Sequence, residues 1–341
     1  MAPIKINYFL SIPILIFIIA AVLVIVFVPG QEKSPVIPQQ LESLVTSKVH
    51  FDLSGTDARY GDNIAYDNYT ETVFDVYIPK SDNPVPVVIF FHSGALFGGN
   101  RKDVQEGVLA ETVSTLLKGG VAVVSADYRM YGTTGNPLPI SLQIEDCRNL
   151  IQYLLDSAKL LGINPDRVAL SGEGFGGGIA LWFAVQQGAE SMSADSLLAA
   201  ASRNGPASFD PEVWTAMDRM FSGIADPDSY IRTLAPESML DIFKTKDSVL
   251  KLDMLSMITP DTPPIWVQNT VSQYKSPETV AEILQHPAQA YALRMAMTEA
   301  GLREHSVWYL EADTIKDSSC ETMADFFIRR LVTEKEAESK N

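Results

Sequence analysis

Two glycine-rich turns hold the residues best suited to chemistry. His92-Ser93-Gly94-Ala95-Leu96-Phe97-Gly98-Gly99 directly follows the apolar run VVIFF, and Gly172-Glu173-Gly174-Phe175-Gly176-Gly177-Gly178 directly follows RVALS. Such turns bring backbone N–H groups close to a ligand, because glycine has no Cβ and adopts positive φ at little steric cost. The donors can hold a phosphate, a carboxylate or a developing oxyanion. Gly172-x-Gly174-x-x-Gly177 also fits the dinucleotide fingerprint, which is the weaker reading here. That fingerprint needs an acid closing the next strand, and Ser202-Arg203-Asn204 stands there instead. Glu173 and Asp313 could flank a pocket and activate water, although acids beside a cleft are more often solvated or paired. The chain has four histidines, His50, His92, His286 and His305, and His92 reads as a brace for its own turn. Ser171 falls inside a strand rather than at a turn tip. No cluster has metal-ligand spacing, and no cofactor is expected.

The elements that must position these turns alternate between two periods. Short, continuously apolar runs mark strands at Val87–Phe91, Val121–Ala126, Arg167–Ser171, Leu197–Ala201, Ile265–Asn269 and Ser306–Leu310, as in parallel sheets covered on both faces. Helical periodicity fills the gaps. In Leu142–Leu161 the residues Cys147, Leu150, Ile151, Leu154, Ala158 and Leu161 make one stripe, with Ser141 available as N-cap. Val104–Leu117, Ile179–Gln187, Ala290–Ala300 and Glu321–Val332 behave similarly. Ser202–Thr262 is irregular, contains Trp214, Phe221 and Tyr230, and is too long for an ordinary connection. It is expected to form a helical cap at about 202–262.

Three features in order give the sequence a family likeness: the His92-Ser93-Gly94-Ala95 turn, Asp127-Tyr128-Arg129 closing a strand, and the Gly172-to-Gly176 strand–turn–helix spacing. The chain resembles the α/β-hydrolase superfamily, and within it carboxylesterases of the hormone-sensitive-lipase or small feruloyl-esterase type. The likeness runs from about Val73 to Leu331. It implies an α/β fold with a mostly parallel central sheet, helices on both faces and a cap. The domain would span 49–332, after a linker at 31–48 and before a polar tail at 333–341.

The family's chemistry needs a serine at the elbow, a histidine base and a carboxylate that orients it. The elbow position is Gly174. The carboxylate position after the seventh strand holds Ser272, and Glu311-Ala312-Asp313-Thr314-Ile315-Lys316 past the eighth strand contains no histidine. No catalytic residue is therefore assigned. The likeness implies that backbone N–H groups near Gly94, Ala95 and Phe175 still converge on the former oxyanion site. Ser93, Gly94, Ala95, Glu173, Gly174 and Phe175 form the candidate ligand pocket, for a small acyl or ester ligand. A protein partner is the other expectation, and an active ester hydrolase with unusual residues is the alternative.

Composition narrows the partners. The 341 residues carry 26 Lys plus Arg against 42 Asp plus Glu, a net charge of −16, which repels phosphate backbones and makes nucleic acid an unlikely partner. Tyr8–Val28 runs 21 residues without a charge, roughly 31 Å as a helix and long enough to span a bilayer. Residues 1–30 are expected to be a single-pass anchor, with a signal sequence as the competing reading. Lys5 before the run favours a cytoplasmic N-terminus, which would put the domain on the non-cytoplasmic side. Asn68-Tyr69-Thr70 fits the glycosylation acceptor pattern. The resemblance to the α/β-hydrolases puts the helix bearing Cys147 and the segment bearing Cys320 on opposite faces of the sheet, which implies no disulfide between them.

Overall fold

Eight strands form one twisted sheet: β1 (Ala58–Ala65), β2 (Val73–Pro79), β3 (Val85–Phe91), β4 (Ala122–Ala126), β5 (Ile163–Glu173), β6 (Leu197–Arg203), β7 (Ile265–Asn269) and β8 (His305–Tyr309). Their order is β1-β2-β4-β3-β5-β6-β7-β8. β1 and β2 are antiparallel to their neighbours, and the rest pair in parallel. This computed structural model describes residues 45, 55–94, 98–130, 138–186, 197–221, 243, 251–270, 277–302, 305–309 and 321–333.

Alternation of side chains along the strands builds two cores. Val87, Ile89 and Phe91 of β3 and Val124 of β4 enter one cluster, with α2 (Ile140–Asp156), α3 (Ala158–Leu161), α4 (Phe175–Val185) and α7 (Pro287–Glu299) packed over it. Val88, Phe90, Val123 and Trp266 enter the other, covered by α1 (Gly107–Lys118) and α8 (Met323–Ile328). Helices thus cover both faces of a mostly parallel sheet, as expected. The Cys147 stripe is buried in the first cluster. Cys147 is free, and Cys320 lies outside the described residues.

The structure corrects several boundaries. Two antiparallel strands, β1 and β2, were absent from the periodicity reading. β2 is buried along its whole length and carries Asp75 in its middle, and that charge interrupts the apolar run by which a covered strand is recognised. Ser141 is not the N-cap of α2, because Pro139 holds that position at φ −58° and its ring presets the backbone for a helix two residues early. The expected Val104–Leu117 helix is split into a 3₁₀ turn at Arg101–Gln105 and α1, with extended Glu106 between them and Gly107, at positive φ, opening α1. Asn100 and Asp103 close a capping box on that turn. α4 begins at Phe175 rather than Ile179, so its glycines lie inside the helix, where close backbone packing needs them. The expected Glu321–Val332 helix is α8 followed by a π turn at Arg329–Thr333.

In the expected cap, α5 (Pro211–Phe221) is present, and Phe209, Trp214 and Phe243 cluster with Phe175. Among the described residues no helix is long and apolar enough to cross a membrane. The Tyr8–Val28 run lies outside them.

Candidate functional site

Strand register brings the two glycine turns together. Phe91 pairs with Gly172 across β3 and β5, so Ser93 and Gly174, each two residues further on, emerge side by side at the carboxyl end of the sheet. Gly174 has φ +54° and ψ −123° between β5 and α4, a conformation that costs a side-chain-bearing residue about 1–3 kcal/mol. Close approach fixes its neighbours: a Cβ on Gly172 would overlap the Gly176 carbonyl, and one on Gly176 would overlap the carbonyls of Phe91 and His92. The turn has the form of a nucleophile elbow without a nucleophilic side chain.

The nearest atoms to a Cβ built on Gly174 belong to Ser93 and Gln285. That Cβ would overlap Ser93 Oγ, lie 3.3 Å from Ser93 Cβ and lie 3.5 Å from Gln285 Nε2. Gln285 closes α6 (Val280–Gln285), and Asn269 at the end of β7 donates from Nδ2 to its carbonyl at 2.9 Å. Gln285 and Asn269 escaped the sequence reading, because neither stands in a recognisable spacing.

Glu173 is not free to activate water. It pairs with Glu173's register partner Arg203 on β6, whose Nη1 lies 2.9 and 2.8 Å from the two carboxylate oxygens, and Asn204 Nδ2 donates to Oε1 at 2.8 Å. Asn204 sits at φ +51°, and its Oδ1 accepts from Thr270 N at 2.7 Å and Thr270 Oγ1 at 3.0 Å. The ends of β5, β6 and β7 are thereby tied into one polar row.

The Asp127-Tyr128-Arg129 segment supports the first turn. Asp127 pairs with Arg101 Nη1 at 2.5 Å, and Arg101 Nε reaches buried Asp75 at 2.8 Å. Tyr128 stacks on His92 with ring centroids 4.5 Å apart and donates its hydroxyl to the His92 carbonyl at 2.9 Å. Arg129 grips buried Asp146 through Nε and Nη2. His92 Nδ1 lies 2.6 Å from the Ser93 carbonyl oxygen, which requires the proton on Nδ1. Burial is the strongest influence on this imidazole and lowers its pKa from the ordinary 6.5, against the upward pull of the Ser93 carbonyl and Asp127.

The remaining expected positions fall as follows. Gly94 has φ +102° and its carbonyl accepts from Gly98 N at 3.2 Å. Phe175 turns its ring into the aromatic cluster, 4.9 Å from Phe209, so only its backbone is available to a ligand. Ser171 is buried within β5 and donates to Met323 Sδ at 3.3 Å. His305 is the first residue of β8, with Nδ1 held 2.9 Å from the Leu302 carbonyl, and His286 caps α7. Ala95, Ser272, Asp313 and His50 lie outside the described residues. Among the described residues no group of three or more His, Cys, Asp or Glu could hold a metal ion.

A family model described as BD-FAE matches residues 74–267, from β2 through β7 and across both glycine turns. The chain belongs to the BD-FAE family. A Mycobacterium tuberculosis protein named carboxylesterase NlhH is 30% identical over 118 residues, 34% of this chain and 34% of that protein. A Moraxella protein named lipase 2 is 35% identical over 99 residues, 29% of this chain and 21% of that protein. This BD-FAE chain therefore spans about a third of the length of one curated relative and about a fifth of the other. Among solved structures, a truncated carbohydrate esterase from gut microbiota matches with TM-score 0.53 and 17% identity over 87% of this chain and 99% of that one. A bifunctional GH43-CE protein from Bacteroides eggerthii gives TM-score 0.58 and 18% identity over 80% of this chain and 38% of that one. At these identities the solved structures establish the shared α/β-hydrolase fold alone, with the BD-FAE match supplying the esterase-like family.

Proposed function

We propose that this BD-FAE chain holds a small acyl or ester ligand at its elbow without hydrolysing it. One observation carries the reading: Gly174 keeps the backbone conformation of a nucleophile elbow while offering no side chain to acylate. Acyl transfer needs an attacking group activated by a base. The atoms nearest a Cβ at this position come from a hydroxyl and a carboxamide, neither of which is a base near neutral pH. Glu173, the acid beside it, is engaged by Arg203 and Asn204.

A working hydrolase is the competing reading, and it draws on the Ser93 hydroxyl, which stands at the elbow from the opposite turn. The full chain incubated with short-chain nitrophenyl esters and a fluorophosphonate separates the two. Binding of an ester without turnover or serine adduct supports the proposal. Ester turnover accompanied by an adduct, at Ser93 or any other serine, removes it.

The Tyr8–Val28 run supports a second part of the proposal, a single-pass tether with the domain on the non-cytoplasmic side. Membrane fractionation with alkaline extraction, followed by protease protection of the sealed fraction, tests it. Release from the membrane at high pH, or a domain protected on the cytoplasmic side, would contradict the tether or its orientation.

A further inference from the structure

We propose that Ser93 and Gln285 form a neutral polar plug over the elbow, so that a ligand meets their hydroxyl and carboxamide and is kept away from Gly174. The inference rests on the binding reading above and names the groups that face the ligand. Unstrained carbon contacts lie at about 3.5–4.0 Å, and a Cβ on Gly174 would be nearer than that to Ser93 Cβ and would overlap Ser93 Oγ. Ser93 therefore occupies volume that a side chain at 174 would need. Gly174 is buried, whereas Ser93 and Gln285 are both half-buried, so both keep solvent-facing surface that Gly174 lacks.

Both members of the plug are held by their backbones. The Ser93 carbonyl accepts from His92 Nδ1 at 2.6 Å, and His92 is in turn clamped by the Tyr128 ring. The Gln285 carbonyl accepts from Asn269 Nδ2 at 2.9 Å, and Asn269 is itself buried. A hydroxyl and a primary amide each donate and accept without carrying charge. The charged neighbours Glu173 and Arg203 are already paired with each other. Among the described residues an ion placed here would find no free counter-charge, and burying unpaired charge is costly. The chemistry fits an uncharged carbonyl compound, such as an intact ester or amide, better than its free carboxylate.

Thiol labelling tests the plug directly. Gly174→Cys, Ser93→Cys and the double variant Ser93→Gly/Gly174→Cys are made in the full chain and reacted with iodoacetamide, with each thiol followed by peptide mass. Rates are compared with those of the denatured chain, which sets the unprotected reference for Cys147 and Cys320 as well. The plug predicts labelling of Gly174→Cys about tenfold or more slower than Ser93→Cys, and a recovery of similar size when Ser93→Gly is added. Equal rates, or no acceleration on removing the Ser93 side chain, overturn it. If Gly174→Cys fails to fold, Ser93→Cys decides alone: labelling within about tenfold of the denatured chain supports the plug, and protection equal to that of Cys147 overturns it. Binding of ethyl butyrate in preference to butyrate supports the ligand class, and the reverse preference overturns it. Ester turnover by the unaltered chain would remove the binding reading while leaving the labelling result standing.

Discussion

Ser93 Oγ stands so close to Gly174 that a Cβ added there would overlap it. The contact joins two residues far apart in sequence, and it exists because β3 and β5 pair with Phe91 opposite Gly172. Replacing the elbow glycine and retaining Ser93 are therefore competing demands on one volume. The turn keeps φ +54°, while a side chain at 174 would need the Ser93 hydroxyl to move aside.

Gly174→Ser is expected to destabilise the fold by about 1–3 kcal/mol, from positive φ together with the overlap on Ser93. Adding Ser93→Gly should return part of that loss. Urea denaturation at neutral pH checks both statements, and a neutral or stabilising Gly174→Ser would contradict them. Nitrophenyl acetate turnover by Gly174→Ser should stay at the level of the unaltered chain, because no described base faces the new hydroxyl.

Arg129 and Asp146 form a buried pair, with side-chain exposures of 10% and 0%. Asp146→Asn leaves the guanidinium without its counter-charge and is expected to cost roughly 3–5 kcal/mol. The double change Arg129→Met/Asp146→Leu should cost less than the sum of the single changes. A double-mutant cycle by chemical denaturation measures the coupling, and simple additivity would show that the pair acts independently.

Asn204 combines φ +51° with side-chain bonds to Glu173 and Thr270. Asn204→Gly loses the bonds but keeps the backbone comfortable, while Asn204→Ala loses both. The alanine variant is expected to be less stable than the glycine variant by about 1 kcal/mol. Equal stability would mean that the side-chain bonds, rather than the backbone angle, select asparagine here.

Burial keeps the folded-state pKa of His92 below the ordinary 6.5. The unfolded chain then binds a proton that the folded chain resists, so the His92 contribution is fully present above pH 6.5. It is lost as pH falls from there towards the lowered folded-state value. His92→Phe keeps an aromatic ring against Tyr128 and removes the titration. Its stability should fall less steeply than that of the unaltered chain below pH 6.5, measured by denaturant midpoints across that range. An identical slope in the two proteins would assign the acid sensitivity to other groups.

Much of the site's frame was legible in the sequence. The glycines at 172, 174 and 176 announced a tight strand–turn–helix passage, since only residues without a Cβ allow these backbones to approach. The apolar runs at β3 to β7 announced covered parallel strands. β1 and β2 were missed because an edge pair with polar interruptions, including buried Asp75, lacks that continuous pattern; Asp75 is tolerated because Arg101 and Lys102 meet it in space and Tyr60 and the Asn63 N–H donate to it. The early start of α4 was missed because glycine disfavours helices by propensity, and tertiary packing overrides that small preference.

The sequence by itself determined which residues could stand at the elbow and its neighbouring turn, because backbone conformation and period follow from local sterics and side-chain type. It also determined that position 174 has no side-chain nucleophile. Only the tertiary structure decided what fills the space above that glycine. Ser93 and Gln285 reach it from two separate segments, and their meeting depends on strand register and on the volumes left by distant side chains, which no local pattern encodes.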